Sequence, residues 1–168
     1  MKKIIVLIIL CISVFGLNAI SVKASANMYW SNLDAVYQGG NNNSANVLAV
    51  QRFMLDYSYT TYSYIINSGG MDGSFGTYTT LAVKAFQGNK NLVQDGSVGP
   101  ATWNAMRNDL EFRDVDYGYQ FYGVSDPYLS DGAYAYYGSF RRNATSGQWE
   151  IRPWYCTSYT AGTYWYLF

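Results

Sequence analysis

The chain has 168 residues, with eleven basic and eleven acidic side chains, 18 tyrosines and no histidine. This length suits one ordinary domain or two small ones. Without histidine, zinc sites with histidine ligands and the Ser–His–Asp and Cys–His mechanisms are excluded. No basic cluster larger than the pair Arg141–Arg142 is present, so the charge pattern does not predict nucleic-acid binding.

The first 26 residues have the pattern of a secretory signal peptide. Lys2 and Lys3 precede a long apolar run, and the small triplet Ala24–Ala26 follows it. We expect cleavage after Ala26; the alternative is an uncleaved membrane anchor, for which the apolar run is slightly short. Cleavage removes three basic residues and Cys11, which leaves a net charge of −3 and Cys156 as a single thiol, either buried or able to cross-link chains.

The mature chain opens with a short lead, residues 27–43, that carries few signals. A helical pattern follows in "NNNSANVLAVQRFMLDY", where Val47, Val50 and Met54 recur on one helix face. Asn43 or Ser44 could cap this helix. The next stretch, "SYTTYSYIINSGG", is polar and rich in tyrosine, and we predict a loop there.

One phrase then occurs twice, as "DGSFGTYT" from Asp72 and as "DGSVGPAT" from Asp95. In each copy, an Asp-Gly pair favours a turn, because aspartate can bond its own following backbone and glycine accepts positive φ. An apolar residue is expected beneath the turn, and a threonine in the first turn of a helix. The phrase therefore predicts two units in which a tight loop launches a helix.

The helices that follow the two loops are predicted from their apolar spacing. The second helix carries an apolar stripe at Thr79, Ala82, Val83 and Phe86. The third begins at Pro100, a residue favoured at the first helical position. Its stripe is Trp103, Met106 and Leu110, and we expect Trp103 in the core rather than on a ligand platform.

From about Glu111 the chain becomes a series of short aromatic segments separated by turn residues. These segments are "YGYQFYGV", "GAYAYYGSF", "GQWEIRPW" and "TYWYLF". Their texture predicts strands and turns, with Pro127 and Pro153 excluded from central strands. The predicted fold class is α+β, with three helices (residues 44–110) followed by a small aromatic-rich antiparallel β region (residues 111–168).

The order of these residues resembles the family of peptidoglycan-binding domains over roughly residues 45–108. The matching positions are Val47, Val50, Gln51, Met54, Asp72, Gly73, Phe75, Gly76, Thr79, Ala82, Val83, Phe86, Gln87, Leu92, Asp95, Gly96, Val98, Gly99, Thr102 and Trp103. The chain departs from the pattern in its lead, "GGNNNSAN", in a longer loop before Asp72, and at Asn91, where glycine is common. The resemblance implies a three-helix module that binds peptidoglycan without catalysis.

Two sets of residues are candidates for ligand contact. In the helical module, polar side chains flank the two loops and could meet the carboxylates and amides of stem peptides, namely Gln51, Asp72, Thr79, Gln87, Asp95 and Thr102. The alternative is structural: the glutamines tie loops to helices and the aspartates cap turns. In the tail, exposed aromatics could contact a glycan or a protein, with Tyr134, Tyr136, Trp149, Trp154 and Tyr164 as candidates. The alternative there is a small aromatic core.

The sequence as a whole predicts a secreted, cell-wall-associated, non-catalytic binder of bacterial peptidoglycan. Its tail would add a second contact to a glycan or to another wall or surface protein. The main alternative is a wall-targeted effector, a toxin or inhibitor that the helical module delivers. A carboxylate-based glycan hydrolase is the third candidate, with Glu150 as its acid, although we expect Glu150 on the solvent face of a strand. We predict no metal, no cofactor, no nucleic acid and no membrane association after cleavage.

Overall fold

The computed structural model describes residues 30, 33–125, 138–153 and 166–167. Several predictions fall outside these ranges: the signal peptide, Pro127, Cys156, and the candidate aromatics Tyr134, Tyr136, Trp154 and Tyr164. Within the ranges, the helices precede an antiparallel sheet, so the predicted α+β class is confirmed. None of the helices described is long and apolar enough to cross a membrane.

The described part of the chain contains four helices rather than the predicted three. They are α1 (Ser44–Tyr57), α2 (Tyr59–Asn67), α3 (Thr77–Asn89) and α4 (Pro100–Asn108). Asn43 caps α1 by accepting a hydrogen bond from the backbone N–H of Ala45, as one of the two alternatives predicted. We predicted Leu110 as the last residue of the third apolar stripe, but α4 ends at Asn108 and Leu110 is the first residue of a strand.

The additional helix, α2, lies where we predicted a polar loop. Ser58 and Thr61 form a reciprocal capping box: the Ser58 hydroxyl accepts from the Thr61 N–H, and the Thr61 hydroxyl accepts from the Ser58 N–H. Ile65 is fully buried and anchors the helix to the core. The sequence did not indicate α2, because threonine, tyrosine and isoleucine have only moderate helix propensity. Capping and burial stabilise this helix instead.

Within the described ranges, the sheet has five antiparallel strands in the order of the chain. They are β1 (Leu110–Asp116), β2 (Tyr119–Val124), β3 (Phe140–Asn143), β4 (Trp149–Ile151) and β5 (Tyr166–Leu167). Strand β1 was not among the predicted segments. Its charged residues resemble those of a loop, but β1 is an edge strand with a bulge between Phe112 and Asp114, where charges are tolerated.

Helices and sheet share one hydrophobic core rather than two separate ones. A single buried cluster contains Val47 and Phe86 of the helices together with Phe140 and Ile151 of the sheet. Trp30, from the lead, belongs to this cluster and is fully buried. Its ring centroid is 5.7 Å from that of Trp103, and it also contacts two aromatic rings of the sheet. The lead is therefore part of the core, and Trp103 lies there as predicted.

Candidate functional site

The first Asp-Gly loop is held to α1 by one buried glutamine. Gln51 Nε2 donates to Asp72 Oδ1 at 2.7 Å and to the Ser74 carbonyl at 3.2 Å, with Thr79 Oγ1 at 3.4 Å. Its Oε1 accepts from the Gly73 N–H at 3.0 Å. One carboxamide therefore satisfies both sides of the turn and reaches the first turn of α3.

The second Asp-Gly loop repeats this arrangement, and three of its four bonds are shorter than those of the first. Gln87 Nε2 donates to Asp95 Oδ1 at 2.8 Å, to the Ser97 carbonyl at 2.9 Å and to Thr102 Oγ1 at 3.1 Å. Its Oε1 accepts from the buried Gly96 N–H at 2.9 Å. The repeated phrase thus builds the same hydrogen-bonded cage twice, each time closed by a glutamine of the preceding helix.

The predicted ligand-contact residues of the helical module all lie in these two cages. The two glutamines and the two threonines are buried, and their side chains bond within the protein. Asp72 and Asp95 also accept from the backbone N–H two residues ahead, at 2.9 and 2.8 Å, as turn-capping aspartates do. This geometry corresponds to the structural alternative, in which the six residues position the loops.

Each copy of the repeated phrase contains glycine at two positions, and the two glycines are required for different physical reasons. Gly73 and Gly96 adopt φ of +72° and +77°, the left-handed region that favours glycine. Gly76 and Gly99, by contrast, have extended backbones and form the N-caps of α3 and α4 without a side-chain cap. The N–H groups at the starts of these helices are therefore not covered by a capping side chain.

Asn91 explains one departure from the family pattern. Its φ is +54°, in the left-handed region. Glycine is the least strained residue there, and asparagine is among the few others that tolerate this conformation. The departure therefore conserves the backbone path between α3 and the second loop.

The lead segment connects the two loop–helix units on one face. Val36 and Val98 exchange backbone hydrogen bonds of 3.2 and 2.9 Å, which joins the lead to the second loop. Gln38 bonds to Thr77 and Thr80 of α3, each at 3.2 Å. We name the surface formed by the exposed side chains within residues 36–38, 77–80 and 95–98 the lead face.

Two exposed tyrosines border the bonds that hold the lead face together. Tyr37 is 48% exposed and precedes Gln38; Tyr78 is 43% exposed and follows Thr77. Neither they nor Gln38 were singled out in the sequence. The available signal was a tyrosine directly after the "DGSFGT" phrase, but the lead contributed no pattern that would have placed Gln38 on α3.

Asp95 has a pKa below its ordinary value of 3.8, first because the Ser97 N–H donates to its carboxylate and next because Gln87 does. A lowered folded-state pKa stabilises the protein above pH 3.8, and this contribution is lost as the pH falls through the folded pKa. We therefore expect D95N to show a shallower loss of unfolding free energy below pH 3.8 than the parent chain. Urea titrations at a series of pH values measure the free energy of unfolding, and Asp34→Asn at an exposed position is the control. If this free energy fell equally steeply with pH for D95N and for the parent chain, the prediction would be contradicted.

The structure corrects one candidate of the tail. Trp149 is only 3% exposed and packs 5.5 Å from Trp30 and 5.0 Å from Tyr122, centroid to centroid. It is therefore a core residue and does not lie on an exposed contact surface. Among the described residues of this region, the exposed large aromatic and apolar side chains are on and next to β1, at Phe112, Val115 and Tyr117.

Glu150, the candidate acid of a glycan hydrolase, is also differently placed from our expectation. It is 8% exposed rather than on a solvent face. Its Oε2 accepts from Arg141 Nε at 2.6 Å across the β3–β4 pair. Glu150 is therefore one member of a cross-strand ion pair with Arg141.

These features define a small scaffold in which two glutamine-closed loops each launch a helix. Residues 43–106 match the model of a family described as "Putative peptidoglycan binding domain". This match confirms the resemblance over the segment. No curated protein and no solved structure matches the chain.

Proposed function

We propose that this chain is a secreted, non-catalytic protein that binds bacterial cell-wall peptidoglycan. The family match of residues 43–106 carries this proposal. It supports peptidoglycan binding in general, and the ion-paired Glu150 supports a role without glycan hydrolysis. Secretion is supported by the signal-peptide pattern of residues 1–26.

We place the main contact on the lead face. Tyr37 and Tyr78 offer flat apolar rings with polar edges, the shape that suits a sugar ring. The start of α3 lies directly before Tyr78 and has no side-chain cap. Its N–H groups can therefore bond to amides and carboxylates of stem peptides. The cages behind this face hold its loops rigid, so binding would order few groups.

The β region would supply the second contact. Phe112, Val115 and Tyr117 are 51%, 57% and 80% exposed, which is high for large apolar side chains. The common core favours one binding protein over a delivery module with a separately folded effector. For the same reason, the test requires the whole mature chain rather than a truncated helical part.

The proposal is tested by sedimentation with purified sacculi of several peptidoglycan chemotypes. We expect residues 27–168 to sediment with at least one chemotype and to leave the turbidity of a wall suspension unchanged. A folded protein that stays in the supernatant with every chemotype would refute binding. Falling turbidity would refute the non-catalytic role.

Substitution of the two lead-face tyrosines should weaken binding. We expect Y37A and Y78A each to reduce sacculus affinity roughly fivefold, on the scale of about 1 kcal/mol for one aromatic contact. Tyr59, which is 62% exposed at the start of α2, is the matched control and should leave affinity unchanged. Equal losses in all three variants would argue against a contact on the lead face.

A further inference from the structure

A cavity of about 320 Å³ lies where the helices meet the sheet. It is lined by chain segments that end or begin there, with Tyr57, Ser58, Asn89, Lys90, Asp109 and Ser125 on its walls. Asp109 and Ser125 lie beyond the family match at residues 43–106. The cavity is therefore a feature of this whole chain and is not assigned by the match.

The cavity wall carries one ion pair. Lys90 Nζ lies 2.7 Å from Asp109 Oδ1 and 2.6 Å from Oδ2. The two side chains remain 30% and 17% exposed, so the pair is only partly buried, and both residues line the cavity. Burial lowers the pKa of Lys90, but the hydrogen bond and charge of Asp109 outweigh burial and raise it overall. Lys90 is thus a cation at any physiological pH.

The surroundings of the pair hold it in place. Lys90 Nζ lies 5.4 Å from the ring centroid of Tyr57 and 5.9 Å from that of Phe86. Asp109 follows α4 directly, and its carbonyl accepts from the N–H and hydroxyl of Ser125 at 2.8 and 2.7 Å. The two charges are therefore presented by anchored segments.

The size of the cavity suits a small polar group. Its volume corresponds to about ten water molecules at roughly 30 Å³ each and reaches the lower end of known ligand pockets. Its walls offer hydroxyl, carboxamide and aromatic groups besides the ion pair. A bound amino-acid end would displace water without needing the protein to open.

The charge balance of the wall decides the class of ligand. A ligand with one charge would recruit one member of the pair and leave the other without its partner, which is unfavourable in a partly buried place. A ligand with both charges can pair its carboxylate with Lys90 and its ammonium with Asp109. The site therefore discriminates in favour of zwitterions.

We propose that this junction cavity binds the zwitterionic end of a diamino acid in an uncrosslinked peptidoglycan stem peptide. Such an end carries an ammonium and a carboxylate on one carbon, as meso-diaminopimelate does. The inference rests on the proposed peptidoglycan binding and adds the chemical group that is recognised. It also predicts preference for free over crosslinked stem peptides, because crosslinking removes the ammonium.

Calorimetric titration of the mature chain with synthetic peptides tests the site. The probes are L-Ala-γ-D-Glu-meso-diaminopimelate, the same peptide with L-lysine in place of the diamino acid, and free meso-diaminopimelate. We expect the first to bind at least tenfold more tightly than the second, which lacks the distal carboxylate. Free meso-diaminopimelate should bind more weakly than the first peptide, because the stem adds contacts.

Variants of the ion pair separate recognition from folding. K90M keeps most of the aliphatic stem over Tyr57, and D109N keeps the shape of the side chain. Since the pair is partly exposed, both variants should fold, which thermal unfolding checks. Each should lose about tenfold in affinity for the diaminopimelate peptide and bind both peptides alike. Lys84→Met and Asp114→Asn are the matched controls and should keep the preference.

Three results would overturn the inference: equal binding of the two peptides by the parent chain, unchanged binding by both ion-pair variants, or free diaminopimelate binding as tightly as the stem peptide. Sacculus sedimentation of the same samples distinguishes this failure from failure of the proposed function. If sacculi still retain the protein, only the junction site is refuted.

Discussion

Replacing Gln87 with alanine is expected to lower the free energy of unfolding by about 3 kcal/mol. The substitution removes the two N–H donors of Gln87 Nε2, which lies 2.8–3.1 Å from three acceptors, and leaves the buried Gly96 N–H without its acceptor. A buried donor without a partner costs more than the net value of the bond it made, because its hydration is not restored. Urea unfolding followed by circular dichroism measures the change.

The equivalent substitution in the first cage should have a smaller effect. Gln51 makes longer contacts, of 3.2 and 3.4 Å, to the Ser74 carbonyl and Thr79, so we expect about 2 kcal/mol for Q51A. The control is the exposed Gln94→Ala, which should change stability by less than about 0.5 kcal/mol. If Q87A were no more destabilising than Q94A, the cages would not hold the loops.

The second large effect is expected for Trp30. W30A should destabilise the protein by about 4 kcal/mol, the usual cost of emptying a buried aromatic site. The indole contacts Trp103 on the helical side and Phe140 and Trp149 on the sheet side, at centroid distances of 5.5–5.8 Å. Loss of the indole therefore weakens the packing of the helices against the sheet. A destabilisation of this size is a large fraction of the stability of a typical domain.

W30F provides a graded variant for the case in which W30A does not fold. It keeps an aromatic ring and should cost less than W30A. Unfolding of the parent chain should give coincident transitions by far-ultraviolet circular dichroism and by tryptophan fluorescence, since helices and sheet share a core. The control is Tyr117→Ala at an 80% exposed position. Separate transitions for helices and sheet, or a W30A effect no larger than that of Y117A, would contradict a common core.

Local patterns in the sequence predicted much of the helical part correctly. The Asp-Gly turns, the first helical position of Pro100 and the buried stripe of α3 all follow from the preferences of neighbouring residues. The errors arose where local preference was weak. Segment α2 is a helix because Ser58 and Thr61 cap it and Ile65 is buried, and β1 is a strand because it pairs with β2.

For the candidate site too, the sequence predicted some features correctly and others not. The sequence identified the glutamines, aspartates and threonines of the two cages, since they recur in a fixed order. Their internal bonding, however, depends on a glutamine meeting an aspartate 21 positions away in the first cage. Trp149 was placed on a surface because strand aromatics look alike in sequence, whether they face the core or the solvent.

By itself, the sequence determined that two loop–helix units follow a first helix and that the chain resembles a wall-binding family. Turn formation and helical periodicity act between residues close in the chain, so the printed order records them. Only the tertiary structure decided that the lead supplies Trp30 to a common core and that Lys90 meets Asp109 at the junction cavity. Those contacts join segments far apart in the chain, and packing rather than local preference selects them.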